Sequence, residues 1–405
     1  MSKPKIIIIA FLVLFTFFFS NDFGLIDIEK TSIVTAIALD MDDDGKYVVT
    51  AQIAVPEATD TNTENQKATI SGKGSTVGAA IKQLANDSGW FPKLGFCNLI
   101  IIGKSLKNTN VIKVLDYFAK TLRVQDSALV AMTDEDASKI LETSSPLDNI
   151  SSFALQKILL KTPGFDRDVH PVDIKTFCSG HYSRSASAMM PYIKIIPATE
   201  SNSSSQSQGQ SSSSSEMGMQ TGGSSSQGGS QEKKLFDAKS TALFKNGYMV
   251  GILDKDLTLT LNSLFLSFGG TSIQVDDVTV NGKKCNYLLT VIRANPCIDV
   301  KIEDNVVNLD VSISLFCKVS DQTLDGSYET LSENLPLSPI VCREAEKILY
   351  DNLTSLIETE KQTKCDLLKI NQRLYRYHNE QYSLIKDDFY DNLTCNIDVN
   401  ISGQL

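Results

Sequence analysis

The side chains able to do chemistry are few in this chain, and their spacing does not suit it. The three histidines are His170, His181 and His378, and none stands at metal-pair distance from another histidine or a cysteine. The eight cysteines are Cys97, Cys178, Cys285, Cys297, Cys317, Cys342, Cys365 and Cys395. No CxxC pair occurs among them, so neither a zinc site nor a dithiol redox motif is written in the sequence. Two readings of the cysteines stay open: a disulfide in the C-terminal third if the domain is exported, or reduced thiols packed as small apolar groups. Carboxylates cluster at Asp42-Asp43-Asp44 and Asp387-Asp388, but adjacent residues do not share a helical face and make poor acid/base dyads. Ser71-Gly72-Lys73-Gly74-Ser75-Thr76 invites a phosphate-loop reading and fails it, because the lysine lies between the glycines instead of after the second one. There is no nucleophile elbow, dinucleotide fingerprint or calcium loop. The sequence therefore names no catalytic, cofactor-binding or metal-ligating residue and calls for no cofactor.

Composition narrows the class. The chain has 405 residues, enough for two or three domains, and 42% hydrophobic residues to fill their cores. With 38 basic against 48 acidic residues the net charge is −10, which argues against nucleic acid as a partner.

The elements that would position any site follow from local signals. Lys3 and Lys5 precede an apolar run from Ile6 to Phe19, the pattern of an export signal. At about 1.5 Å per helical residue the run spans about 21 Å, short of a ~30 Å hydrocarbon core. No small-x-small cleavage site and no lipid-attachment cysteine follow it, so an uncleaved or poorly cleaved membrane anchor is expected. Thr31–Asp40 and Tyr47–Val55 read as strands joined at Asp44-Gly45, and Ala68–Gly72 as a third. Ser75 or Thr76 should cap a helix that buries Val77, Ala80, Ile81 and Leu84. Asn98–Gly103 reads as a strand buried on both faces, followed by a helix over 108–119 and a strand over 127–132. Thr133, with Asp136 three residues on, should cap the next helix, with Ala137, Ile140 and Leu141 inward. Strand and helix thus alternate over 69–142, the mark of an α/β sheet with packed helices.

Residues 147–160 should be helical through Ile150, Phe153, Ala154 and Ile158, Val172–Phe177 is a short helix candidate, and Met189–Ile196 reads as a strand. Residues 201–231 are nearly all Ser, Gln and Gly, a composition expected to be disordered. Asp237–Asp254 reads as a hairpin turning at Asn246-Gly247, a pair suited to the positive φ of a type I′ turn. It can share a sheet with 189–196, the tract being looped out. Thr271–Cys317 alternates as a meander with turns at Asn281-Gly282 and 303–305. Ser338 and Pro339 should start the longest helix, with Val341, Ala345, Ile348, Leu349, Leu353, Leu356 and Ile357 on its apolar stripe. A shorter helix is expected over 381–391, and a closing strand over 394–401. The fold class is mixed α/β, multi-domain, with mixed sheets, packed helices and a long helix in the C-terminal domain. The expected division is 1–20 as signal-like or anchor segment, 21–145 as an N-terminal α/β domain, 146–275 as a middle domain interrupted at about 201–231, and 276–405 as a C-terminal α/β domain.

Several of these segments together resemble the Ger(x)C family, the C subunit of bacterial spore germinant receptors. Ile28-Glu29-Lys30 with Ile33–Asp40 looks like its opening strand, which ends in Gly-Ile-Asp. Gly72–Thr76 looks like its Gly-x-(Ser/Thr) helix start, and Leu99–Leu106 like its buried strand and turn. Thr241–Lys245 with Val250–Leu253 resembles its mid-chain hairpin; Lys364–Leu368 and Asp388-Phe389 resemble its C-terminal segments. Two positions depart: Asn21-Asp22-Phe23-Gly24 stands where the family carries a lipidated Cys and Trp-Asp, and Phe389 where a Trp is common. The resemblance implies a three-domain, lipoprotein-like, non-enzymatic subunit on the outer face of the spore inner membrane. It would assemble there with membrane-spanning A-type and permease-like B-type subunits in nutrient-triggered germination. The alternative from another class is an extracytoplasmic solute- or peptide-binding protein.

Overall fold

A computed structural model describes residues 31–54, 67–121, 124–160, 166–197, 234–265, 269–280, 282–304, 306–324, 327–328, 336–385 and 389–404, with Phe11 besides. Apart from Phe11, the apolar run 6–19 lies outside these residues, as do the loop after residue 55, the Ser/Gln/Gly tract and Asp387-Asp388. Among the described residues the strands form one nine-stranded and one five-stranded sheet.

The larger sheet runs from β1 (Thr31–Met41) to β9 (Tyr248–Leu253), in the order β3 (Lys67–Gly74), β2 (Tyr47–Ala54), β1, β5 (Leu99–Ile102), β6 (Leu129–Thr133), β7 (Ser187–Pro197), β8 (Lys234–Lys245), β9. A short β4 (Phe91–Lys93) pairs with the start of β1. β1, β5, β6 and β7 are parallel, and antiparallel hairpins flank them on both sides. The central strands are apolar throughout because helices cover both faces. On one face Ile100, Ile102, Val130 and Met132 pack with α1 (Val77–Ser88), α2 (Val111–Thr121) and α5 (Ile174–His181). On the other, Leu99, Ile101, Leu129 and Ala131 pack with α3 (Ala137–Glu142) and α4 (Ser151–Leu159). The two-residue period of β5 thus feeds two separate cores.

The second sheet contains β10 (Ser272–Val280), β11 (Lys283–Glu303), β12 (Val306–Leu324) and β13 (Ser327–Tyr328), with β14 (Leu393–Gln404) parallel to β12. Alternate residues of β12, from Val307 to Val319, point into a core closed by α7 (Pro339–Thr363) and α8 (Ile370–Tyr377). Each fully buried aliphatic side chain there stabilises by about 1.5–3 kcal/mol. α6 (Lys255–Phe265) joins the two sheets: Leu261 and Leu264 belong to the same cluster as Leu243 and Leu253 of the hairpin and Leu349 and Leu353 of α7.

Most of the locally signalled elements fall where the sequence puts them. Thr76 caps α1 through its hydroxyl, which accepts from the N–H of Ala79. Asn246 and Gly247 both have positive φ, at 52° and 83°, as a type I′ turn requires. Four readings need correction. Thr133 does not cap α3; its hydroxyl accepts from Glu135 N, ahead of the helix, and Asp136 makes no side-chain cap bond. Phe153 is exposed, and α4 instead buries Ser151, Ser152, Ala154, Leu155 and Leu159. Ser338 stands at the start of α7 but its hydroxyl caps nothing, and Ile348 lies outside the buried stripe. The helix expected over 381–391 is α9 (Asn379–Ile385), preceded by α8, which the sequence reading missed.

Candidate functional site

No site residue was assigned from sequence, so the groups considered there are placed first. Lys73 is the exposed partner of Asp42 in the β1–β2 hairpin. Gly72 and Gly74 belong to a strand crossed so closely by α1 that a Cβ at either would meet the helix backbone. The Gly-Lys-Gly segment is therefore a packing joint, not an anion cradle. His170 is half-buried against Asn262, whose amide donates to the carbonyls of Arg167 (2.7 Å) and Val169 (2.9 Å). Burial lowers the His170 pKa. His378 lies 3.1 Å from the carbonyl of Val300, and His181 sits edge-on to Tyr182. Among the described residues no three His, Cys, Asp or Glu side chains converge on a metal position.

Two polar clusters are built deep in the protein. In the first, Asp40 at the end of β1 accepts from the backbone N–H groups of Ala137 and Ser138. Burial raises its pKa, and those two bonds oppose the rise. Gly103 makes room for the carboxylate; a Cβ there would collide with it. Toward the other end of α3, Gln52 is fully buried. Its amide nitrogen donates to the Leu141 carbonyl and the Ser151 hydroxyl, both at 2.8 Å, and its oxygen accepts from Ser152 N. This network explains why α4 turns serines inward.

The second cluster sits where the two sheets meet. Glu360 projects from the last turns of α7 with 0% exposure. Its Oε2 accepts from Leu368 N (3.0 Å) and its Oε1 from the Tyr390 hydroxyl (3.3 Å). After α7 ends at Lys364, a left-handed residue (φ 52°), the segment Cys365–Leu368 turns back into the protein. Asp366 N donates to the Ser187 hydroxyl of β7, and the Cys365 thiol faces the Phe244 carbonyl of β8 at 3.5 Å. The Asp366 carboxylate in turn accepts from Asn371 N, and the Asn371 amide oxygen from the Tyr382 hydroxyl. Lys245, at the end of β8, donates to the Ser185 carbonyl at 2.7 Å. Burial is the leading cause of every shift here. It holds Glu360 well above the usual carboxylate range, with Asp366 adding to the rise, and it raises Asp366 as well. It lowers Lys245 and pushes the Cys365 thiol up to about 12. A thiol so protonated is no nucleophile at neutral pH. Chemically the cluster clamps two bodies together; nothing in it activates water or a nucleophile.

Sequence reasoning missed Glu360, although a signal was present. It lies three and four residues beyond Ile357 and Leu356, on the apolar stripe itself. Asp40 gave no such local signal, because its partners lie on another element.

These joints coincide with the segments that carried the family resemblance, and comparison with known proteins agrees. Residues 25–195 match the family model described as the spore germination protein N-terminal domain. Residues 239–404 match the one described as spore germination B3/GerAC like, C-terminal. The chain belongs to the Ger(x)C family of spore germination proteins. The family is that of the germinant receptor C subunit. Among solved structures, one described as the crystal structure of the GerBC protein is 16% identical, with a TM-score of 0.48 over 93% of this chain and 99% of that one. No curated protein matches the chain. In this Ger(x)C protein the strand end at Asp40, the glycines of β3, Gly103, the Asn246-Gly247 hairpin and the Lys364–Leu368 turn are all places where one element locks onto another.

Proposed function

We propose that the protein is a non-enzymatic, membrane-associated subunit of a spore germinant receptor, acting in nutrient-triggered germination from the outer face of the spore inner membrane. Its partners are an A-type membrane-spanning subunit and a B-type permease-like subunit. The observation that carries this reading is the ordered match of both family models, covering residues 25–195 and 239–404. The two polar clusters support a structural role: each carboxylate described is spent on backbone N–H groups or a tyrosine hydroxyl. Among the described residues no helix is long and apolar enough to cross a membrane, so attachment is assigned to the run 6–19. Purification of the tagged chain from spore membranes tests the proposal. Co-recovery of one multi-spanning and one permease-like protein is the expected result; recovery of the chain with neither overturns it.

A further inference from the structure

One exposed aromatic cluster is left unexplained by the joints above. β4 runs parallel to the start of β1, with Thr31 opposite Phe91, Ser32 opposite Pro92 and Ile33 opposite Lys93. Paired residues in a parallel ladder share a face, and the face alternates along each strand. Ser32 and Pro92 accordingly turn inward. Ile33 (43% exposed) and Phe91 (38%) turn outward together with Lys93. Trp90 (47%), which precedes Phe91 in the chain, and Phe96 (51%) are exposed as well, and the Lys93 ammonium lies 5.7 Å from the Phe96 ring centroid. Leu94 within the same short segment is buried. The segment thus packs its proline and leucine and leaves its aromatics in water, so their exposure is not a failure to find a core.

The occupant is indicated by where the chain comes from. Thr31 opens β1 directly beside Phe91, and the Lys-flanked apolar run ends at Phe19. At ~3.5 Å per extended residue the intervening stretch cannot carry the end of that run more than about 40 Å from the patch. Tryptophan and phenylalanine bordered by lysine are the side chains that settle at the headgroup level of a bilayer.

We propose that Ile33, Trp90, Phe91 and Phe96 rest in the interfacial zone of a lipid bilayer with Lys93 toward its headgroups. The folded domain is then held against the membrane by a contact separate from the N-terminal run. The proposal rests on the membrane-associated reading above, and the experiment separates the two. Trp90 is the sole tryptophan of the chain, so its fluorescence reports on this patch alone. The full chain is mixed with vesicles of phosphatidylethanolamine and phosphatidylglycerol, with and without brominated phosphatidylcholine, and pelleted. The expected result is co-pelleting, a blue-shifted Trp90 emission and at least twofold quenching by bromine. In Phe91→Ser/Phe96→Ser the chain should still pellet while the quenching falls by half or more. If the chain pellets but Trp90 stays water-exposed and unquenched, the patch proposal is overturned and the membrane reading stands. A blue shift without bromine quenching overturns it in favour of a protein contact, such as a second copy. Failure to pellet overturns both.

Discussion

The carboxylate of Asp40 closes the start of a helix that lies 97 residues away in sequence, with Oδ1 accepting from Ala137 N at 2.9 Å. Its Oδ2 accepts from Ser138 N at 3.1 Å. The helix has no cap of its own. Asp40→Ala should therefore lower stability by about 2 kcal/mol, the upper end for a lost cap, because the orphaned N–H groups are partly buried. Asp40→Asn, which keeps one oxygen, should lose less. Gly103→Ala should rank with Asp40→Ala, since it displaces the same carboxylate. Urea denaturation of the three variants checks the order; equal stability of Asp40→Ala and wild type would refute the arrangement.

The hairpin turn makes a second test. Gly247 has φ 83° and its carbonyl accepts from Val111 N at 2.9 Å, while the Asn110 amide donates to the carbonyl of Asn246. A methyl at Gly247 is strained by the backbone and also meets the Asn110 side chain. Gly247→Ala should cost about 1–2 kcal/mol in the same measurement. Gly45→Ala, with positive φ but open space around it, should cost less.

Glu360 gives the pH test. Burial, helped by Asp366, holds its folded-state pKa well above its ordinary value of 4.5. The folded state therefore binds a proton that the unfolded state has released. Stability linked to that proton is complete below the unfolded pKa and is lost as pH rises through the folded one. Glu360→Gln removes the titration and keeps one oxygen for Leu368 N. Its melting temperature relative to wild type should thus increase as pH rises above the ordinary carboxylate value of 4.5. A difference that stays flat or shrinks over that range counts against a buried, protonated Glu360.

Thiol accessibility follows from the same burial. Cys97, Cys317 and Cys365 are buried, with pKa values pushed to about 12, whereas Cys297 and Cys395 are exposed. Iodoacetamide at neutral pH followed by mass mapping should label the exposed pair in the native protein. The three buried thiols should react only in denaturant. Labelling of Cys365 at the rate of Cys297 would show the joint between the sheets to be open.

What the sequence made legible was local. Thr76 and its four inward residues, the Asn246-Gly247 turn and the stripe of α7 are all short-range patterns, and apart from Ile348 each sits where its spacing places it. Two of the misreadings share one cause, a distant partner that outcompetes a local signal. Thr133 and Asp136 look like a cap, yet Asp40 occupies that place from another strand. Phe153 looks like the inward residue of α4, yet the buried Gln52 draws Ser151 and Ser152 inside instead. The buried clamp at Glu360 and Asp366 was half legible: the stripe position of Glu360 was readable, but that a carboxylate is tolerated there depends on Tyr390 and the returning 365–368 segment.

The pairing of β14 with β12 has a temporal consequence. Leu393–Gln404 runs parallel to 307–318 for its whole length, so that stretch of β12 has a neighbour on only one side until residues 393–404 have been synthesised. During translation the emerging β11–β12 ribbon presents there an open edge of 12 residues. The second sheet must then stay open to edge pairing until β14 arrives. Truncation before residue 393 should leave that edge permanently unpaired, and nascent chains stalled there should be the ones that recruit chaperones.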